Sequence, residues 1–226
     1  MDDKWYYVIP PNINIMKCEL GDVAIDYLWN CIETAKKDKD KVNANKNLAG
    51  NIEESLYLED EDQYFWRNHL EVVCNHYLKE NFYCTSFRNT FTNAFSQKLL
   101  MREFWVNFSK KHEFNPVHNH GGALSFVIWM KIPTKSEEQH NLPISKNTTN
   151  PSSSDFQFLY TDILGAISPM TFEMDPEING SLVLFPSTLH HQVYPFFESD
   201  DYRVSISGNI YYDPEEAFAI DTSGRS

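Results

Sequence analysis

Arg203-Val204-Ser205-Ile206-Ser207-Gly208-Asn209-Ile210 is the stretch on which the reading of the fold depends. Val204, Ile206 and Ile210 fall on one parity, and Arg203, Ser205, Ser207 and Asn209 on the other. Successive side chains of a strand point to opposite faces, so the segment reads as a strand with one apolar and one polar face. If the polar face met solvent, Arg203 would be an ordinary surface charge. If that face lines the interior of a barrel, Arg203 is a fixed guanidinium beside hydroxyls, and its planar fork matches a carboxylate through two hydrogen bonds.

What lies upstream favours the interior. Four of the eight histidines sit in two clusters, His118-Asn119-His120 and His190-His191. Residues two apart on a strand share a face, so His118 and His120 can address one ion while the later cluster supplies a third ligand from a neighbouring strand. Imidazole binds divalent first-row metals at neutral pH. Two close ligands and a distant one suit non-haem iron(II), which takes three protein ligands on one face of an octahedron and leaves the opposite positions for substrate and oxygen. Adjacent strand residues face opposite ways, so only one of His190 and His191 reaches the ion. We take His191, with His190 facing outward or supporting the site from behind.

The second half of the chain continues the strand pattern: Leu99 to Met101, Phe104 to Phe108, the apolar run Leu124 to Ile132 closed by Pro133, Phe156 to Leu159, and Ser181 to Phe185 after an Asn179-Gly180 turn. The first half is largely helical. A segment from Tyr6 to Ile15, broken by Pro10-Pro11, precedes a helix opened by Gly21-Asp22, with Val23, Tyr27, Leu28, Cys31, Ile32 and Ala35 at helical spacing. An Asn-rich link from Asn43 to Asn51 leads to a second helix marked by Trp66, Leu70, Val73, Cys74 and Tyr77. Between Thr134 and Pro151 there is little to bury, which predicts an exposed loop at about 134–155, suited to substrate recognition or simply mobile.

A length of 226 residues predicts one domain (1–226), with a helical part at 1–98 and a β core at 99–213. The net charge of -13 excludes a general nucleic-acid binder, which needs a basic face. Cys18, Cys31, Cys74 and Cys84 lack metal-clip spacing and read as core thiols in a reducing compartment. With no apolar run of the ~18 residues that a membrane span needs, the expectation is a soluble, cytoplasmic protein that does not engage membranes.

Phe104-Trp105-Val106-Asn107, Asn115 to Ser125, Gly180 to Ser187, His191-Gln192-Val193-Tyr194-Pro195 and Arg203 to Ser207 together resemble the 2-oxoglutarate/Fe(II)-dependent oxygenases. Within them, the chain is similar to a prolyl-hydroxylase-like group carried by bacteria and cyanophages, which would place it in a host cytoplasm if phage-encoded. The resemblance covers roughly the second half of the chain; Asn47 to Asn51 adds a weaker similarity. It implies a mainly β fold with flanking helices, a double-stranded β-helix or cupin-like jelly roll. It implies His118, His120 and His191 as iron ligands, the last also selected by its spacing to Pro195. It implies Arg203 and Ser205 at the far carboxylate of 2-oxoglutarate, with Asn107 and Trp129 as co-substrate contacts or pocket walls. The implied reaction uses Fe(II), 2-oxoglutarate and O2 to hydroxylate a C–H bond of a small molecule or protein side chain, peptidyl proline favoured. One departure stands out: the wider superfamily has His-x-Asp or His-x-Glu where this chain has His120. A carboxylate from elsewhere, Asp155 or Asp162, is the alternative third ligand. A non-oxygenase cupin-type metal protein or isomerase is the competing activity, since fold alone does not fix chemistry.

Overall fold

The computed structural model of the protein describes residues 4–7, 12, 14–38, 43–44, 49–81 and 98–213. Pro10-Pro11, Asn47-Leu48, Cys84 and Pro214 lie outside the described residues. Among the described residues, ten strands run in the order β1 (Met16–Glu19), β2 (Glu54–Tyr57), β3 (Leu99–Ser109), β4 (Asn115–His118), β5 (Leu124–Lys131), β6 (Phe156–Thr161), β7 (Ile167–Phe172), β8 (Ser181–Pro186), β9 (His190–Val193) and β10 (Arg203–Tyr212). The helices are α1 (Asp22–Lys37), α2 (Glu71–Asn81), which continues a π-helical stretch at Trp66–Leu70, and the short α3 (Ser136–His140).

The strands form a six-stranded sheet, ordered β1-β8-β5-β10-β3-β2, and a four-stranded sheet, ordered β4-β9-β6-β7. All pairings between these strands are antiparallel. Both faces of the large sheet carry buried apolar residues, packed against different partners. Val106, Phe108, Ile128, Leu184 and Ile206 pack with the helical residues Leu28, Ile32, Leu70 and Tyr77. The opposite parity, including Val127, Trp129, Val183 and Phe185, packs against Phe156 and Phe158 of the small sheet. Two facing antiparallel sheets with helices outside one of them make the double-stranded β-helix that the family resemblance implies.

The helices follow from their apolar stripes. In α1 the buried residues are Ala24, Leu28, Cys31 and Ile32, a spacing of one helix face. Val23, expected on that face, is instead 66% exposed, because it lies one residue, about 100° of helix rotation, from the stripe's first member. Asp22 in the first turn and Lys36 and Lys37 in the last complement the helix dipole.

Three further expectations need correction. The first 98 residues are not helical throughout: β1 and β2 join the two edges of the large sheet, paired with β8 and β3. Leu99 to Met101 and Phe104 to Phe108 are one continuous strand, held in register along β10 with a single bulge near Asn209. Segment 134–155 is not simply an exposed loop: it contains α3 and buries Ser136, Gln139, Ser145, Ser154 and Asp155. Its burial rests on polar contacts. Ser136 N–H and hydroxyl donate to the Asp175 carboxylate, and Gln139 exchanges two hydrogen bonds with the Phe197 backbone.

Candidate active site

The inner face of the large sheet carries its polar residues in rows set by register. Asn107, Ser205 and Trp129 lie side by side across β3, β10 and β5. Trp105, Ser207 and Val127 form the next row, and Arg203 stands opposite Ser109. The parity read in the sequence thus becomes a wall. Facing it is a cavity of about 160 Å³, whose lining includes His118, His120, His191, Arg203, Ser205, Asn107 and Trp129. All seven residues singled out from the sequence therefore meet around one cavity.

The small sheet delivers the histidines. His118 ends β4 and is paired directly with His191 of β9. His120 lies beyond the strand, so strand alternation does not aim it. Its backbone N–H donates to Ser187 O at 2.8 Å, and Ser187 N–H donates to Ala123 O, which pins the loop to the β8–β9 turn. Gly122 completes that loop at φ +95, where a Cβ would come within 2.7 Å of Ile210 O. Only glycine combines that backbone conformation with that approach.

The ligating nitrogens of His118, His120 and His191 all lie within 4.8 Å of one another, so the three could share one metal ion. Ring contacts agree, with centroids 4.2 Å apart for His118–His191 and 5.0 Å for each to His120. Because a carbonyl oxygen can only accept, the contacts of His118 Nδ1 with Pro116 O (2.7 Å) and of His191 Nδ1 with Leu189 O (3.0 Å) fix Nδ1 as the protonated nitrogen. Nε2 of each ring is left with its lone pair, the state a metal requires. Burial disfavours the charged imidazolium and holds His191 down to about 3, His120 to about 4, and His118 below the usual histidine value. Phe156 stacks on the His191 ring at 5.5 Å and Phe185 meets its edge at 5.1 Å. His190, its neighbour, is exposed on the other face.

Neither carboxylate weighed as a third ligand is grouped with the histidines. Asp155 accepts from His140 Nε2 at 3.0 Å, and Asp162 is occupied by the Leu164 and Ala166 N–H groups of the β6–β7 turn. Among the described residues, the three histidines are the one cluster with ligand spacing.

Arg203 is 4% exposed. Its Nη2 donates to Ser154 Oγ (2.9 Å), its Nη1 to Tyr194 O (3.3 Å), and Phe196 lies under the guanidinium at 4.9 Å. Nε is buried without a partner. Burial lowers its pKa to about 10, so it remains charged at neutral pH. A buried cation with no carboxylate bonded to it is unfinished business electrostatically: the usual rule is that buried charges are paired. Sequence reasoning missed Ser154 and the indole of Trp105, which contacts His120 at 5.9 Å. Nothing local marks Ser154, whereas Trp105 could have been found from its parity with Asn107.

Residues 103–209 match the model of a family described as "Putative 2OG-Fe(II) oxygenase". Over this core, just under half of the chain, the protein is similar to the 2OG-Fe(II) oxygenases. They are oxidoreductases. No curated protein matches the chain in sequence. Among solved structures, a Pseudomonas putida prolyl-4-hydroxylase is similar with a TM-score of 0.51 at 12% identity, over 88% of this chain and 92% of that one. A Trichoplax adhaerens prolyl hydroxylase, in complex with a hypoxia inducible factor peptide fragment, gives 0.52 at 13%, over 94% and 88%. The α-ketoglutarate-dependent epimerase SnoN of nogalamycin biosynthesis gives 0.51 at 13%, over 94% and 86%. At such identities the likeness speaks for the fold, which an oxygenase core shares with both hydroxylases and an epimerase.

Proposed function

We propose that the protein is a 2-oxoglutarate- and Fe(II)-dependent dioxygenase that hydroxylates a C–H bond, with peptidyl proline as the favoured substrate class. The observation that carries this reading is the buried guanidinium of Arg203, whose hydrogen bonds go to a serine hydroxyl and a backbone carbonyl and to no carboxylate, in the same cavity as three clustered imidazoles. The donor set fits the implied groups. Three neutral nitrogens suit a divalent ion, and the unpartnered Arg203 Nε suits one end of a dicarboxylate.

His118, His120 and His191 would hold the iron, and Arg203 with Ser205 would hold the far carboxylate of 2-oxoglutarate. When bound, the iron supplies oxygen activation coupled to oxidative decarboxylation of the co-substrate, giving succinate and CO2 beside the hydroxylated product. The chain's own contribution is orientation and exclusion of water. Arg203 and the Asn107–Ser205–Trp129 row fix the co-substrate's direction; Phe156 and Phe185 dry the histidine cluster. The prolyl assignment draws on the two hydroxylases of the same fold, one of them bound to a peptide. It is tested by offering proline-containing peptides and reading succinate formation and a 16 Da mass gain, the mass of one oxygen atom; peptide-independent succinate only would remove it.

An all-histidine set is also what catalytic zinc accepts, so a cupin-type metal protein without oxygenase activity is the second reading. Anaerobic titration with Fe(II) and then 2-oxoglutarate separates the two. A visible charge-transfer band requiring both components supports the oxygenase; metal binding without the band supports the alternative.

A further inference from the structure

Segment 134–155 clasps the stretch that cradles Arg203. Gln139 bonds the backbone of Phe197 in both directions, Nε2 to O at 2.9 Å and N–H to Oε1 at 2.8 Å. The next residue back, Phe196, is the one whose ring lies under the guanidinium. Asp155 O accepts from Tyr194 N–H at 2.8 Å, and Tyr194 O in turn accepts from Arg203 Nη1. Ser154 N–H donates to Pro195 O at 2.9 Å while its hydroxyl takes Arg203 Nη2. Each of the four residues from Tyr194 to Phe197 is therefore tied to this segment, to Arg203, or to both.

Ser154 is the point of closest engagement. It is fully buried, and it adopts φ +77, a backbone conformation that side chains other than glycine rarely take. Glycine would serve the backbone better. A serine held there is explained by its hydroxyl, which accepts from Arg203 Nη2 without neutralising the guanidinium. Asp155, a buried carboxylate that acts on Arg203 through space, accepts its side-chain hydrogen bond from His140 instead. Were it bonded to Arg203 it would compete with an incoming anion; an uncharged hydroxyl does not.

We propose that segment 134–155 presets Arg203 for a carboxylate ligand, with Ser154 as the positioning residue that aims the guanidinium. This rests on the reading of Arg203 as the anchor for the distal carboxylate of 2-oxoglutarate. Ser154 itself touches neither the histidines nor the reacting atoms; it acts through Arg203.

The test compares Ser154→Ala and Ser154→Gly with the parent protein, each loaded anaerobically with Mn(II) and titrated calorimetrically with 2-oxoglutarate and, separately, with oxalate. Oxalate can chelate the metal but has no distal carboxylate. Both variants should bind 2-oxoglutarate about tenfold more weakly and oxalate as the parent does. The Gly variant should resist urea better than the Ala variant, because it sheds the strained φ. Equal 2-oxoglutarate affinity in two variants of unequal stability ties the effect to the lost hydroxyl. Parallel weakening of oxalate, affinities that track urea resistance, or unchanged 2-oxoglutarate binding would each overturn the proposal. An Arg203→Met control separates the levels of failure. If it binds 2-oxoglutarate like the parent, the anchor reading falls and this inference with it; if it binds weakly while the Ser154 variants bind normally, this inference alone falls.

Discussion

His118 and His191 stand directly opposite each other in the β4–β9 ladder, their ring centroids 4.2 Å apart, and each is oriented by a carbonyl two residues before it, Pro116 O and Leu189 O. Cross-strand pairing sets the distance and the local backbone sets the tautomer. The two Nε2 atoms are thus fixed in place independently of His120. Replacing His191 by Ala removes one of the two fixed nitrogens and is expected to weaken Co(II) binding by at least ~100-fold, followed by the visible absorbance of the ion. Wild-type-like binding would exclude His191 as a ligand.

His120 comes from a loop pinned by Ser187 rather than from the ladder. Its replacement by Asp would give the donor set common in the wider superfamily. We expect His120→Asp to keep Co(II) binding and His120→Ala to lose it. A loss in both would mean that the loop cannot present a shorter carboxylate to the ion.

Arg203 is the buried cation without a bonded carboxylate, so its removal should act on the co-substrate and leave the metal alone. Arg203→Ala is expected to raise the 2-oxoglutarate concentration needed for half-maximal turnover by about 10–100-fold, the worth of a charge-assisted hydrogen bond. Mn(II) affinity should stay within about twofold of the parent's. An unchanged 2-oxoglutarate requirement would contradict the anchor role.

The legible parts of this fold were those where two faces differ in chemistry. The alternation from Arg203 to Ile210 survives folding because one face meets helices and the other meets a polar cavity. Val127 and Trp129, inside the unbroken apolar stretch Phe126 to Met130, show no such alternation, since both faces of β5 are buried. β2 does not alternate, and β1 alternates over four residues only, too short a run to stand out. Segment 134–155 was unreadable for another reason. Composition measures apolar content, whereas this segment is buried through long-range polar contacts such as Gln139 with Phe197 and Ser136 with Asp175. The same blindness hid Ser154, whose partner lies 49 residues away in sequence.

The depressed histidine pKa values make the metal-free protein sensitive to acid. In the folded chain His191 titrates at about 3 and His120 at about 4, because burial disfavours their charged forms. Unfolded, both return to about 6.5. The unfolded state therefore binds more protons between these values, and stability falls as pH drops from about 6.5 toward 4. Asp155, raised to about 6 by burial, acts in the opposite sense, losing stability as pH rises from 4 to 6; with two strongly shifted imidazoles against one carboxyl, the histidines dominate. Urea midpoints of the metal-free protein should be lower at pH 5 than at pH 7, and the difference should shrink in a His191→Leu, His120→Leu variant. A pH slope that survives both substitutions would assign it elsewhere.

Gly208 tests the packing on which the whole site stands. It lies in β10, between β5 and β3, on the face turned to the helices. A Cβ there would lie 2.5 Å from Glu103 O and 2.5 Å from Phe126 Cε1. The backbone cannot yield, because β10 is bonded on both sides. The Phe126 ring cannot easily yield either, since Phe104 and Phe65 pack against it at 6.3 and 6.4 Å between centroids. Gly208→Ala should therefore cost about 2–3 kcal/mol, the upper range for overpacking a core. It should lower the urea midpoint without changing the slope of the transition. The cavity wall shares this strand, with Ser207 next in line, so 2-oxoglutarate binding should weaken in step with the displacement of β10. A variant as stable as the parent would show that the Phe126 cluster can repack around an added methyl group and that the large sheet is softer than its two-sided burial implies.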